Sequence, residues 1–131
     1  MSLPPPILIA TDVARRLEAV LEHAPEGTEE VVAKLEEELA RAELREPSAM
    51  PGDVVTMHSR VGFLDEVSGA THEARLVYPQ EAGQIAGDVS ILSPAGAALI
   101  GLSVGQSIDW PLPGGRTTRF RVTRVAAPPS H

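Results

Sequence analysis

The sequence predicts an α+β fold: a short N-terminal antiparallel helical hairpin, a coiled coil in pattern, followed by an antiparallel β-sheet carrying one short helix. Three observations predict it. Long helical periodicity ends before residue 47, strand-type alternation begins after residue 53, and the punctuated stretch PSAMPGD lies between them. Charge divides at the same place. Residues 1–50 hold 5 Lys and Arg against 11 Asp and Glu, whereas residues 51–131 hold 6 against 7. Two bodies are therefore expected, a helical hairpin at 1–47 and a sheet domain at 48–131.

The first helix is expected to start at Thr11-Asp12, with Thr11 as N-cap and an acid in the first turn, where the helix dipole favours it. Val13, Leu17, Val20, Leu21 and Ala24 then form one apolar stripe. Pro25 and Gly27 break the pattern, and Thr28 is placed to cap a second helix with Glu29 and Glu30 in its first turn. Its stripe is Val31, Val32, Leu35, Leu39 and Ala42, and Pro47 ends it, which gives about 18 residues or roughly 27 Å. The short connection makes the two helices antiparallel neighbours. The run Glu36-Glu37-Glu38 reads as a solvated helix face, because adjacent helical residues point in different directions.

After the linker the expected strands are 54–57, 60–64, 72–79, 89–92, 104–112 and 118–125, with turns near Ser68-Gly69 and Pro113-Gly114-Gly115. In the fifth, Val104, Ile108, Trp110 and Leu112 share an inward face, and in the last Phe120 and Val122 do. Residues 93–101 (SPAGAALIG) interrupt the strands with a short helix. Ser93 is a good N-cap, Pro94 fits the first helical position, and Gly101 suits the left-handed residue after the last turn. Ala98, Leu99 and Leu102 would cover the sheet.

Composition excludes several classes. With 43 % hydrophobic and 22 % charged residues the chain is of globular type, and a net charge of −7 disfavours direct, sequence-specific nucleic-acid binding. Cysteine is absent, so no thiolate zinc site or thiol nucleophile exists. No apolar run approaches the ~18 residues of a membrane span, and the first residues lack a signal-peptide pattern. A cytoplasmic protein with no membrane association is expected. No catalytic constellation assembles: His58 and His72 could meet across strands but lack a third ligand, and no serine sits in a G-x-S-x-G elbow. No catalytic residue, metal site or cofactor is assigned.

Residues 50–61 (MPGDVVTMHSRV), 76–79 (LVYP) and 93–115 (SPAGAALIGLSVGQSIDWPLPGG) resemble the GreA/GreB transcript-cleavage factor superfamily, and within it the Rnk branch. The resemblance is strong over 50–125 and is one of pattern over 7–47. It implies an FKBP-like C-terminal domain behind an antiparallel coiled coil. It also implies binding of bacterial RNA polymerase at the rim of its secondary channel, through a segment that here comprises Leu92, Ser93, Pro94 and Ala95. Leu92 stands where Gre factors commonly carry an acid. Gre factors also bear an Asp-x-x-Glu pair at the coiled-coil tip that helps hold the polymerase's catalytic magnesium, and Glu26-Gly-Thr-Glu29 keeps that spacing with Glu first. The hairpin is much shorter than a Gre coiled coil, so the expectation is a monomeric, non-enzymatic regulator that competes with Gre factors. The alternative is a transcript-cleavage factor using Glu26 and Glu29. A prolyl isomerase is disfavoured, since one Trp, one Tyr and two Phe are too few for an aromatic-lined pocket plus a core.

Overall fold

A computed structural model describes residues 5–83, 87–112 and 114–126. Its elements are β1 (Leu8–Ala10), α1 (Thr11–Glu22), α2 (Glu29–Arg41), β2 (Glu43–Arg45), β3 (Arg60–Asp65), β4 (Thr71–Val77), β5 (Asp88–Ser90), α3 (Pro94–Leu99), β6 (Ser107–Leu112) and β7 (Arg116–Ala126). The α+β class is as expected, with the helical hairpin first and one short helix within the sheet region. The five-stranded sheet runs β5-β4-β3-β7-β6 and curls around α3. All its pairings are antiparallel except β4 with β5, which is parallel because the connection between them crosses over through a 3₁₀ turn at Pro79–Glu81.

The helices form where the stripes place them, but their ends differ from expectation. The cap of α1 is Ala10, in extended conformation, and Thr11 is already helical. The start of α1 is fixed instead by β1, which feeds directly into it. The second helix ends at Arg41 and is 13 residues long, not about 18. Ala42 turns extended at φ −68° and ψ 143°, and Glu43–Arg45 pairs in parallel with β1. Apolar periodicity cannot distinguish another helical turn from a strand this short, and the free edge of Leu8–Ala10 decides in favour of the strand. Glu38 is also not solvated. It is 5 % exposed, ion-paired to Arg41, whose other guanidinium nitrogen donates to the Pro5 carbonyl.

Three strand expectations change as well. Residues 54–57 form no strand, only a single bridge between Val54 and Ser103. Val104 is 43 % exposed, because residues 103–106 make a tight turn before β6 in which the Gln106 side chain accepts the Ser103 N–H at 2.8 Å. His58 and His72 do not meet; His72 stacks on Phe63, and His58 turns toward Glu81. Of the expected 113–115 turn, Pro113 lies outside the described residues, as does the Leu112 side chain.

One core serves the helices and the sheet together. Leu17 and Leu35 from the hairpin, Ile7 and Ile9 from the β1 region, Leu99 of α3 and Ile100 just after it, and Trp110 and Val122 from the sheet are all essentially without exposure. Each such side chain stabilises by about 1.5–3 kcal/mol when removed from water, so this shared core is the main restraint on how the hairpin sits.

Candidate functional site

The corner between β5 and α3 is fixed by its own side chains. Ser90 Oγ accepts the Leu92 N–H at 3.0 Å, and the Ser93 hydroxyl donates to the Ser90 carbonyl at 2.7 Å. Ser93 Oγ in turn accepts the Gly96 N–H at 3.1 Å, so Ser93 caps α3 as its sequence position requires. Pro94 opens the helix, where its missing donor costs nothing. Gly96 lies so close to the preceding turn that a Cβ would stand 2.1 Å from the Ser90 carbonyl oxygen. Gly101 follows the helix at φ +82° and passes its backbone between Val55 and Leu8, accepting the Leu8 N–H at 3.1 Å and donating to Val55 at 2.9 Å.

The four residues expected to dock are therefore contiguous but unequally presented. Leu92 is 9 % exposed and belongs to the core, whereas Ser93, Pro94 and Ala95 are half-buried. Pro94 shares a narrow cleft with Trp110 and Pro111 of β6 and with Glu30, Val31 and Lys34 of α2. Lys34 lies 5.6 Å above the Trp110 ring. The first half of α2 thus rests against the body beside the start of α3. No local pattern announces this neighbourhood, because 60 or more residues separate the α2 residues from Pro94 and each carries a sufficient local explanation.

At the hairpin tip Glu26 and Glu29 are both exposed. They do not form a matched pair. Glu29 Oε1 accepts the Gly27 N–H at 3.3 Å, and backbone donors at Glu29 and Gly27 hold its carboxyl below the usual range. Its negative charge is directed to the start of α2, where unpaired amides and the dipole favour it. Thr28 makes no side-chain cap, since its hydroxyl donates to the Pro25 carbonyl at 2.6 Å. Among the described residues no group of three or more His, Asp or Glu is arranged to hold a metal ion.

A second concavity, of about 550 Å³, opens where α1, the linker and the end of β4 meet. His58 forms one wall in a left-handed conformation at φ 69°, unusual for a residue with a Cβ. Its N–H donates to the Leu76 carbonyl at 2.6 Å, its Nε2 lies 2.9 and 3.0 Å from the Glu81 carboxylate oxygens, and its ring meets Tyr78 edge-on. Glu81 Oε1 also accepts the Tyr78 N–H at 3.0 Å. The hydrogen bond from His58 holds the Glu81 carboxyl below its usual range, while burial pushes the Tyr78 phenol up. Arg16 lays its guanidinium 4.0 Å over the Tyr78 ring. His58 and Tyr78 come from the MPGDVVTMHSRV and LVYP stretches, but their meeting with Arg16 and Glu81 is the work of α1 packing on the sheet.

Comparison with known proteins follows these two regions of the chain. The family described as "Transcription elongation factor, GreA/GreB, C-term" matches residues 50–127, and the one described as "Rnk N-terminus" matches residues 5–44. The chain is 39 % identical over 125 residues to the "Regulator of nucleoside diphosphate kinase" of Escherichia coli K12, covering 95 % of this chain and 92 % of that one. It is 40 % identical over 94 residues to the transcription elongation factor GreA of Rhodospirillum rubrum, covering 72 % of this chain and 59 % of the relative. Among solved structures, a GreA/GreB elongation factor from Nitrosomonas europaea superposes with a TM-score of 0.71 at 41 % identity, over 94 % of this chain and 99 % of that one. Gfh1 of Thermus aquaticus, at 23 % identity and a TM-score of 0.50, shares the fold.

Proposed function

The chain belongs to the GreA/GreB family, with a GreA/GreB C-terminal domain behind an Rnk-type N-terminus, and on that premise we propose that it is a bacterial RNA polymerase-binding transcription regulator. In this reading residues 48–131 form the docking domain and 1–47 a hairpin appended to it. Docking is at the secondary-channel rim, through Ser93, Pro94 and Ala95, with Leu92 supporting them from below. The protein acts as a cytoplasmic monomer, competes with Gre factors and catalyses no reaction of its own. Control of nucleoside diphosphate kinase, the role in the name of the Escherichia coli relative, would follow indirectly through transcription.

The observation that carries the proposal is the α3 corner, where a family-matched segment is held rigidly by Ser90, Ser93 and Gly96 while its first residues stay accessible. Hairpin length supports the absence of cleavage. A 13-residue α2 is about 20 Å long, and its first half rests on the body. A carboxylate acts on magnesium only at ~2.1 Å, so a gap of one helical turn, ~5.4 Å, removes the effect whatever the charge of the tip. Glu29 is moreover engaged with its own loop.

Two measurements on the full chain test this. In a competition assay with a Gre factor on core polymerase, wild-type protein should displace the competitor. Pro94→Gly should lose about tenfold in affinity while losing only about 1 kcal/mol in stability, the cost of restored backbone freedom. Since a loss of about 1 kcal/mol leaves the domain folded, an affinity within about twofold of wild type would make Pro94 purely structural. On a stalled elongation complex the protein should leave the RNA 3′ end intact. Cleavage that vanishes in a Glu26→Ala, Glu29→Ala double variant would establish the transcript-cleavage alternative instead.

A further inference from the structure

The cleft between α1, the linker and the end of β4 has features that polymerase docking does not use. Its volume of about 550 Å³ lies within the roughly 300–1,000 Å³ typical of small-ligand sites. It is also placed where such sites concentrate, at the junction of the helical and sheet parts. Much of its lining is apolar, from Val13, Met50, Pro51 and Met57.

The charged groups around it are engaged to different degrees. Asp12 accepts the Val13 N–H at 2.9 Å, and Glu81 is taken by His58 and by the Tyr78 N–H. Arg16, by contrast, makes no hydrogen bond or salt bridge among the described residues; its guanidinium face lies on Tyr78, and its charge acts on Glu81 and Tyr78 only through space. Stacking occupies the face of a guanidinium and leaves its five N–H donors at the edge, in the geometry that suits a carboxylate. The wall beside it is fixed before any ligand arrives. His58 holds a left-handed φ of 69° and is tied to Leu76 through its backbone and to Glu81 through its ring. Such conformations cost of order 1–3 kcal/mol and persist only where the surroundings impose them.

We propose that this cleft binds a small organic monoanion, a carboxylate on an aromatic or branched apolar body, with Arg16 taking the carboxylate and the Met50, Met57 and Val13 surface taking the body. A single charge is specified because Arg16 is the one Lys or Arg lining the cleft, Asp12 and Glu81 stand near it, and the chain carries −7 overall. Those features work against a di- or triphosphate, which would need several cations. The proposal is independent of polymerase binding, since α3 contributes nothing to the cleft lining.

The test is a titration of the full-length, ¹⁵N-labelled chain followed by amide chemical shifts. The probes are phenylacetate and 4-methylpentanoate, the neutral phenylacetamide, and inorganic phosphate. At least one of the two carboxylates should produce saturable shifts at Val13, Arg16, Met57, His58 and Tyr78. Phenylacetamide should bind at least tenfold more weakly than phenylacetate. Arg16→Gln, on the exposed side of α1, should weaken carboxylate binding by tenfold or more with the remaining spectrum unchanged, while Arg15→Gln should leave it as in wild type. Saturation by neither carboxylate up to about 10 mM, equal binding by Arg16→Gln, or the same shifts from inorganic phosphate at equal concentration would each overturn the proposal.

Discussion

The α3 corner and the helical hairpin are both helical, yet they are held in opposite ways. Ser93 completes its helix through Ser90 and Gly96, each three residues away. Arg41, at the end of α2, reaches 36 residues back along the chain to the Pro5 carbonyl, and Leu44 pairs with Ile9 across a similar separation. The corner is specified by local chemistry, and the hairpin is seated by long-range pairing. The comparison teaches that the part of this molecule suited to presenting a fixed surface is the part whose side-chain hydrogen bonds close among near neighbours in sequence, even though its buried face shares the common core.

That contrast is broken most severely by adding one carbon to the corner. Gly96→Ala places a Cβ 2.1 Å from the Ser90 carbonyl oxygen, a backbone atom that cannot move without opening the β5–α3 turn. Over-packing of this kind costs about 3 kcal/mol, which calorimetry should register as the largest Tm loss among the changes considered. A smaller loss than that of Arg41→Ala would mean that the corner yields more easily than its hydrogen bonds imply.

Arg41→Ala probes the other side of the comparison. It removes both the donor to Pro5 and the partner of Glu38, leaving a carboxylate that is only 5 % exposed. Breaking a buried pair typically costs 3–5 kcal/mol, but the Arg41 side chain is 25 % exposed, so solvent screening reduces the expectation to about 2 kcal/mol. Hydrogen exchange should rise first in residues 7–10 and 43–45, with the α3 corner unaffected. Uniform acceleration across the chain would show that hairpin and sheet unfold as one unit.

Legibility in the sequence follows the same division. Ser93, Pro94 and Gly101 carry their roles in their identities, so α3 was readable residue by residue. The stripes of α1 and α2 were readable from period alone. The strand at Glu43–Arg45 was not, because three residues carry too little alternation to outweigh a helical continuation, and its partner lies 35 positions away. Glu38 was misread for a related reason. Position on a helix indicates which way a side chain points, not whether a neighbouring segment will cover it. The cleft around Arg16, His58 and Tyr78 was legible only in part: the linker and the 50–61 and 76–79 stretches stand out in the sequence, but nothing local brings them to Arg16, since three separate segments build the cleft.

The smallest expected effect concerns Asp65, which closes the β3–β4 turn by a mixture of both strategies. Its Oδ1 accepts the Val67 and Ser68 N–H groups locally and the Thr118 hydroxyl from β7 at 2.7 Å. The Thr118 hydrogen bond is the main cause holding the Asp65 carboxyl below its ordinary value, and Thr118 itself is 3 % exposed. A carboxyl depressed in the folded state is protonated more readily in the unfolded state. Its stabilisation is therefore complete above the ordinary carboxylate range and is lost as pH falls through the folded-state value. Thr118→Val keeps the side-chain shape and removes the one long-range donor, returning Asp65 toward its ordinary value. The variant should melt slightly below wild type at neutral pH, and the two Tm curves should converge as pH drops below about 4. If the gap stays constant with pH, the effect lies in packing at position 118, and the Asp65 carboxylate is held by its local amides alone.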